Sequence, residues 1–228
     1  MKRIIQPELL DELPANDPRA MQSRRDLQRI NFFMGNVKSV QRNLEKYFPK
    51  KPPKKIMELG AGDGSFMLRL AKRLSNRWKN IEVIFVDQQR LVSAETENEF
   101  RALGWKTKTV CVDVFEWLPL CASVDCMIAN LFLHHFQNER LSELLRMAAE
   151  KTKVFVACEP RRYRWSVAGT KLLWLIGCND VTRHDALVSV HAGFQGNELS
   201  GLWPQSTGWK VEESETSLAS HGFVAARP

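Results

Sequence analysis

Lys55-Ile56-Met57-Glu58-Leu59-Gly60-Ala61-Gly62-Asp63-Gly64 runs from a short aliphatic segment into three glycines at alternate positions, and a helical pattern, SFMLRLAKRLSNRW, opens at Ser65. Glycines between a strand and a helix allow a tight turn and let a ligand approach the main chain and the helix N-terminus. A nucleoside cofactor is therefore expected. A nicotinamide fingerprint wants G-x-G-x-x-G/A and an acid roughly 20 residues on. Here the sixth position counted from Gly60 is Ser65, and the acid ending the next aliphatic run, Asp87, lies 27 residues on. The dehydrogenase reading falls away.

Outward from this loop, aliphatic runs alternate with helical patterns. IEVIFVD (81–87), TKTVCVDV (107–114), VDCMIANL (124–131) and KVFVACEP (153–160) read as strands, separated by RLVSAETENEFRALG (90–104) and by NERLSELLRMAAEKT (138–152), which Asn138 is placed to cap. With KIMELG this gives five parallel strands. The final WKVEESETSLASHGFVAARP holds two strand-like runs too close for a helical crossover, so they form an antiparallel pair. The pattern predicts an α/β fold with helices on both faces of the sheet.

Upstream, Asp17 and Pro18 mark a helix start, and a helix is expected over 18–34, with Met21, Leu27, Ile30, Phe33 and Met34 at helical spacing. VKSVQRNLEKYF suggests a second helix, ending at the lysine- and proline-rich KYFPKKPPKK. Residues 1–54 read as a helical lid and linker, and 55–228 as the main domain. Of 228 residues, 44% are hydrophobic and 26% charged, which excludes disordered and fibrous classes. The best apolar stretch, 165–178, is short of a bilayer span and contains Lys171, so no membrane crossing is expected. Asp11 and Glu12 break up any signal sequence, which leads to an expected cytoplasmic location. Residues 1–80 carry 18 basic and 8 acidic side chains, concentrating the basicity at the front. The five cysteines have no C-x-x-C pairing and read as buried free thiols, and no histidine or cysteine spacing suggests a metal site.

The loop E-x-G-x-G-x-G, with Asp87 ending the second strand and Asp113 the third, resembles the class I S-adenosylmethionine-dependent methyltransferases, over about residues 55–160 and in the terminal strands. The resemblance implies their Rossmann-like fold: a seven-stranded, mostly parallel sheet with the last strand antiparallel. It also implies S-adenosylmethionine as cofactor. Gly60, Gly62 and Gly64 would pass near its methionine part, Asp87 would hold the ribose hydroxyls and Asp113 the adenine, with Glu58, Ala61, Gln88, Val114 and Asn130 completing the site.

The fourth strand's tail, Asn130 to Phe136, contains an LHH stretch like that of small-molecule members, and should face the transferable methyl group. His135, His134 and His184 are candidate bases, and adjacency predicts that one of the first two serves the fold. The region 160–205 is where the family carries substrate elements. There Arg161, Arg183, Asp185 and His191 are the expected substrate residues, suited to an anionic or hydroxylated aromatic molecule. PELLDELPANDPRAMQSRRDLQRINFFMGN and RHDALVSVHAGFQGNEL add a likeness to bacterial methyltransferases of polyketide-type secondary metabolism. The expected activity is methylation of a small hydroxylated metabolite, preferentially at oxygen. The alternatives are an RNA methyltransferase, suggested by the basic front third, and an inactive cofactor-binding partner subunit.

Overall fold

The computed structural model describes residues 1–228 except Ala15, Ser206, Thr207 and Pro228, and the side chains of Phe32 and Phe33 are also outside the described set. The expectation for Phe33 therefore lies outside the described residues. Three helices open the chain: α1 (Leu9–Glu12), α2 (Pro18–Met34) and α3 (Asn36–Tyr47). The sheet strands are β1 (Lys55–Leu59), β2 (Glu82–Asp87), β3 (Lys106–Cys111), β4 (Val124–Asn130), β5 (Thr152–Pro160), β6 (Lys210–Glu215) and β7 (Ser220–Ala226). Between them run α4 (Ser65–Leu74), α5 (Ala94–Ala102), α6 (Val114–Leu120), α7 (Asn138–Lys151), α8 (Arg164–Thr170), α9 (Asp180–Ala192) and α10 (Glu198–Leu202).

The sheet order is β3-β2-β1-β4-β5-β7-β6, with β7 antiparallel to both neighbours and the other pairings parallel. Chain order reverses between β1 and β4, and such a switch point opens a crevice at the carboxyl ends of the strands. The central strands are apolar on both faces because both are covered. Met57, Leu59, Met127, Ala129 and Phe155 face α6, α7 and Trp203, while Ile56, Val83, Phe85, Ile128 and Val156 face α3, α4 and α5.

The front of the chain divides differently from the sequence expectation. In α3, Val40 and Leu44 are fully buried in the core under the sheet, so this helix is part of the main fold. In α2 the buried face is polar: Ser23 and Asp26 are sealed against α9, where Thr182 Oγ1 donates to Ser23 Oγ (3.0 Å) and Asp26 Oδ2 (3.1 Å). Met21, placed on the apolar stripe, is exposed, whereas Leu27 faces the crevice. Asp17 caps α2 through Arg19 N–H (2.8 Å) and Asn179 caps α9 through Thr182 N–H (2.8 Å). Asn138 does not cap α7; it is the first helical residue, and its Oδ1 accepts from Arg3 (2.8 Å). Four cysteines are buried; Cys111 is exposed because it ends the edge strand β3.

Residues 1–13 are fastened across the molecule by Arg162 and by two groups first read as substrate contacts, Asp185 and His191. Arg162, almost fully buried, donates to Met1 O (3.0 Å) and pairs with Glu198, Ile4 N–H reaches His191 O (3.1 Å), and both Asp185 carboxylate oxygens accept Leu9 N–H (2.8 Å) and Leu10 N–H (2.9 Å). Asp185→Ala should leave those two amides unpaired, lower stability by about 1–3 kcal/mol and accelerate hydrogen exchange at residues 2–12 while the central strands stay protected. Unchanged exchange at Leu9 and Leu10 would remove Asp185 from this role.

Candidate functional site

The glycine turn leaves β1 with φ of +65° at Gly60, +55° at Gly62 and +74° at Gly64. A Cβ on Gly60 would sit 2.2 Å from the Phe132 ring, so that position is closed to any side chain; a Cβ on Gly62 would meet nothing within 4 Å, which leaves its main chain open to a ligand. The turn is pinned to β2: Gly60 N–H donates to Val86 O (2.9 Å) and Gly62 N–H to Asp87 Oδ2 (2.8 Å). Asp87 Oδ1 takes Gln89 N–H (2.8 Å). Beyond β3, Asp113 caps α6 through Phe115 N–H (2.7 Å), and its second oxygen holds the Gln88 amide (2.8 Å).

Glu58, at the base of the turn, is buried, and its Oε2 has no hydrogen-bond partner among the described residues. Burial, reinforced by the charges of Asp63 and Asp87, pushes its carboxyl well above the usual range. A buried acid without a partner beside two more carboxylates is a place where a cation is welcome.

The tail of β4 is shaped by Glu159 at the end of β5. Its fully buried carboxylate accepts the main-chain N–H groups of Phe132 (3.0 Å), Leu133 (2.9 Å) and His134 (3.3 Å), and the His134 Nδ1–H (2.8 Å). That fixes the 3-10 turn Leu133–His135. His134 Nε2–H then donates to Glu8 Oε1 (3.3 Å). Burial works against a charged imidazole, but the hydrogen bonds and charges of Glu159 and Glu8 outweigh it and raise His134 to about 9. Burial likewise opposes a charged Glu8, and the bond and charge of His134 overcome it and hold Glu8 at about 2. His134 therefore lies in a buried ion triad.

His135 does line the cavity, with Nδ1 3.5 Å from Asp11 Oδ2. Burial and then the positive His134 beside it lower His135 to about 4, so it is neutral at neutral pH. Asp11 is raised to about 6 by burial and by Glu8 and Asp185. Glu8, His134 and His135 offer ligand atoms within 4.8 Å of one another, a cluster that spacing along the chain could not display because Glu8 arrives from the far terminus. Both His134 nitrogens are already engaged by carboxylates, so the triad is complete as a proton-bearing unit.

The cavity, about 400 Å³, is within the range of small-molecule sites. Glu58, Gly60, Ala61, Gly62, Asp87, Gln88, Asp113, Val114 and Asn130 line it; Gly64 does not, and instead begins α4. The substrate candidates are elsewhere. Arg161 pairs with Glu215, Arg183 is exposed with its Nε on Asn179 O (3.3 Å), and Asp185 and His191 hold the N-terminal segment. His184 is half-exposed on α9 and does not reach the cavity. Leu10, Asp11, Arg24, Leu27, Gln28 and Asn31 form the opposite wall instead. Gln28 ties that wall to the loop through Asp63 Oδ2 (2.6 Å), and Asn36 orients Asn130 (2.9 Å). The only signals for these positions were the polar residues scattered among the apolar spacing of the first helices.

A methyltransferase-domain family model matches residues 56–154. No curated protein gives a significant sequence match. Among solved structures, the fold is similar to the plantazolicin methyltransferase BpumL in complex with SAH, at TM-score 0.67 and 14% identity over 93% of this chain and 92% of that one. It is also similar to magnesium protoporphyrin IX methyltransferase from Synechocystis PCC 6803 with bound SAM, at TM-score 0.56 and 16% identity over 96% and 88% of the two chains. At these identities the likeness concerns the fold, while the matched segment contains the glycine turn, Asp87 and Asp113. Over residues 56–154 the chain is therefore similar to a methyltransferase domain, and its fold is similar to that of methyltransferases solved with SAH or SAM bound.

Proposed function

We propose that the protein methylates an oxygen of a small hydroxylated, aromatic or polyketide-like metabolite, with His135 as the base. The observation that carries this reading is the division of a single cavity. One end is the acidic glycine turn; the other is aromatic, built from Phe132 and Phe136 with ring centroids 5.1 Å apart, and contains His135.

At the acidic end, Gly60, Ala61 and Gly62 would hold the methionine part of the donor, with Glu58 and Asp63 facing its ammonium group. Asp87 and Gln88 would take the ribose hydroxyls, and Asp113 and Val114 the adenine, with Asn130 nearby. The bound donor supplies a methyl group on a sulfonium centre, and transfer is an in-line displacement. What the chain adds is alignment, exclusion of water and removal of one proton. His135, neutral at neutral pH, accepts that proton from the acceptor hydroxyl, and the Asp11 carboxylate beside Nδ1 offsets the new charge. Residues 1–34 act as the lid, with Leu10, Asp11 and Leu27 in the wall.

The lysine-rich linker favours a small acceptor over RNA. Lys54 and Lys55 N–H donate to Asp125 at the amino ends of the strands, and β1 alone separates them from the glycine turn by roughly 16 Å. A complete donor wall together with a base argues against an inactive partner subunit.

Asp87→Ala should weaken S-adenosylmethionine binding by about 2–3 kcal/mol in calorimetry, the scale of lost charge-assisted bonds. Full affinity in that variant would displace Asp87 from the ribose.

His135→Ala should lower turnover about 100-fold or more with donor affinity unchanged, while His184→Ala retains full turnover. Labelled methyl groups should appear on hydroxylated aromatic acceptors and not on RNA; the reverse would establish the RNA reading.

The pH profile follows from the same groups. His134, raised to about 9, contributes to lid docking fully below its ordinary pKa of about 6.5 and loses that contribution as pH rises through 9. Glu8, held at about 2, contributes above its ordinary 4.3 or so and fails only as pH falls through 2. Below pH 6.5 activity should decline in part as Asp11 takes up a proton near 6 and be lost only near 4 as His135 does, with a further decline above about pH 9. An acid limb that still falls with an apparent pKa near 6.5 in an Asp11→Asn variant would refute the assignment of His135.

A further inference from the structure

The apolar run from Trp165 to Cys178, too short to cross a bilayer, has not gone into the core either. Trp165 is 72% exposed, Leu172 58%, Trp174 61%, Leu175 60% and Ile176 47%. They occupy α8 and the following 3-10 turn Leu173–Ile176, beside α9, and none lines the cavity. An apolar segment of this length is ordinarily either a buried core element or an interfacial one, and its exposure excludes the first.

Charge specifies the partner. Between Glu159 and Asp180 the sequence has four basic residues and no acid. Arg161 and Arg162 are taken up by Glu215 and Glu198, whereas Arg164 and Lys171 are exposed and meet no carboxylate among the described residues. Arg183, on the neighbouring helix, is exposed as well and bonded only to a main-chain oxygen. Tryptophan and leucine side chains ringed by unpaired cations match a membrane surface: rings and aliphatic groups settle at the boundary of headgroups and acyl chains, and the cations face phosphates. A second copy of the chain would set these cations against their own counterparts. We propose that this surface docks the protein on an anionic lipid bilayer without crossing it.

The test is co-sedimentation of the full-length protein with vesicles of phosphatidylcholine alone and of phosphatidylcholine containing phosphatidylglycerol. Binding is expected to the anionic vesicles and to weaken with added salt. A Trp165→Ser, Trp174→Ser double variant should bind at least about tenfold more weakly. A Arg164→Glu, Lys171→Glu variant should lose the salt-sensitive component. Both variants should keep the wild-type melting temperature and donor affinity, since all four side chains are exposed and outside the cavity. Failure of the wild type to bind anionic vesicles, or equal binding by the tryptophan variant, would overturn the proposal. So would a dimer in sedimentation velocity that the tryptophan variant dissolves while vesicles are ignored, which would assign the surface to a second copy.

Discussion

A single buried carboxylate organises the aromatic side of the cavity. Glu159 is fully shielded from water and would be costly there without partners, and it has four, three of them consecutive main-chain amides of the β4 tail. Those bonds turn the chain so that Phe132 covers Gly60 and His135 enters the cavity, while His134 is drawn inward. The fourth donor is the His134 ring itself, which Glu159 and Glu8 together keep charged. Through one acid, the end of β5 thus shapes the floor of the cavity and the anchorage of the N-terminal segment. Leu131, held at φ +53° just before the turn, bears backbone strain that this network maintains.

The electrostatic consequences differ on the two sides of the cavity. Near the glycine turn, burial and the neighbouring carboxylates push the Glu58 carboxyl well above its usual range. Near the aromatic end, two adjacent histidines are pushed in opposite directions, one to about 9 and the other to about 4, because the first is fed by carboxylates and the second feels the first. Identical side chains one residue apart are thereby charged in one case and neutral in the other at neutral pH.

The sheet and the glycine-turn wall of the cavity were legible because their signals are local. Strand runs of uniform apolarity, three alternating glycines and acids just beyond strand ends all lie within a few residues of the structure they specify. The opposite wall was not, because it is held by residues more than a hundred positions apart. Glu8 meets His134 and Ser189, and Asp185 meets Leu9 and Leu10. A dense basic and aromatic segment after β5 suggested substrate contacts, whereas Arg162 and Asp185 hold the N-terminus and Arg161 a neighbouring strand. Helix α2 misled for another reason: its buried face uses Ser23 and Asp26 hydrogen bonds, which apolar periodicity does not register.

The anchorage of residues 1–13 also imposes an order of assembly. Ile4 bonds to His191 and Leu9 to Asp185, sequence separations of well over a hundred residues, so this segment is made long before the residues that hold it. Until α9 has been synthesised, the nascent sheet has its glycine turn but no roof, and Glu8 and Asp11 remain in water. The cavity therefore closes only after most of this sequence exists, and a shortened product lacking α9 would have the glycine turn without the wall that encloses it.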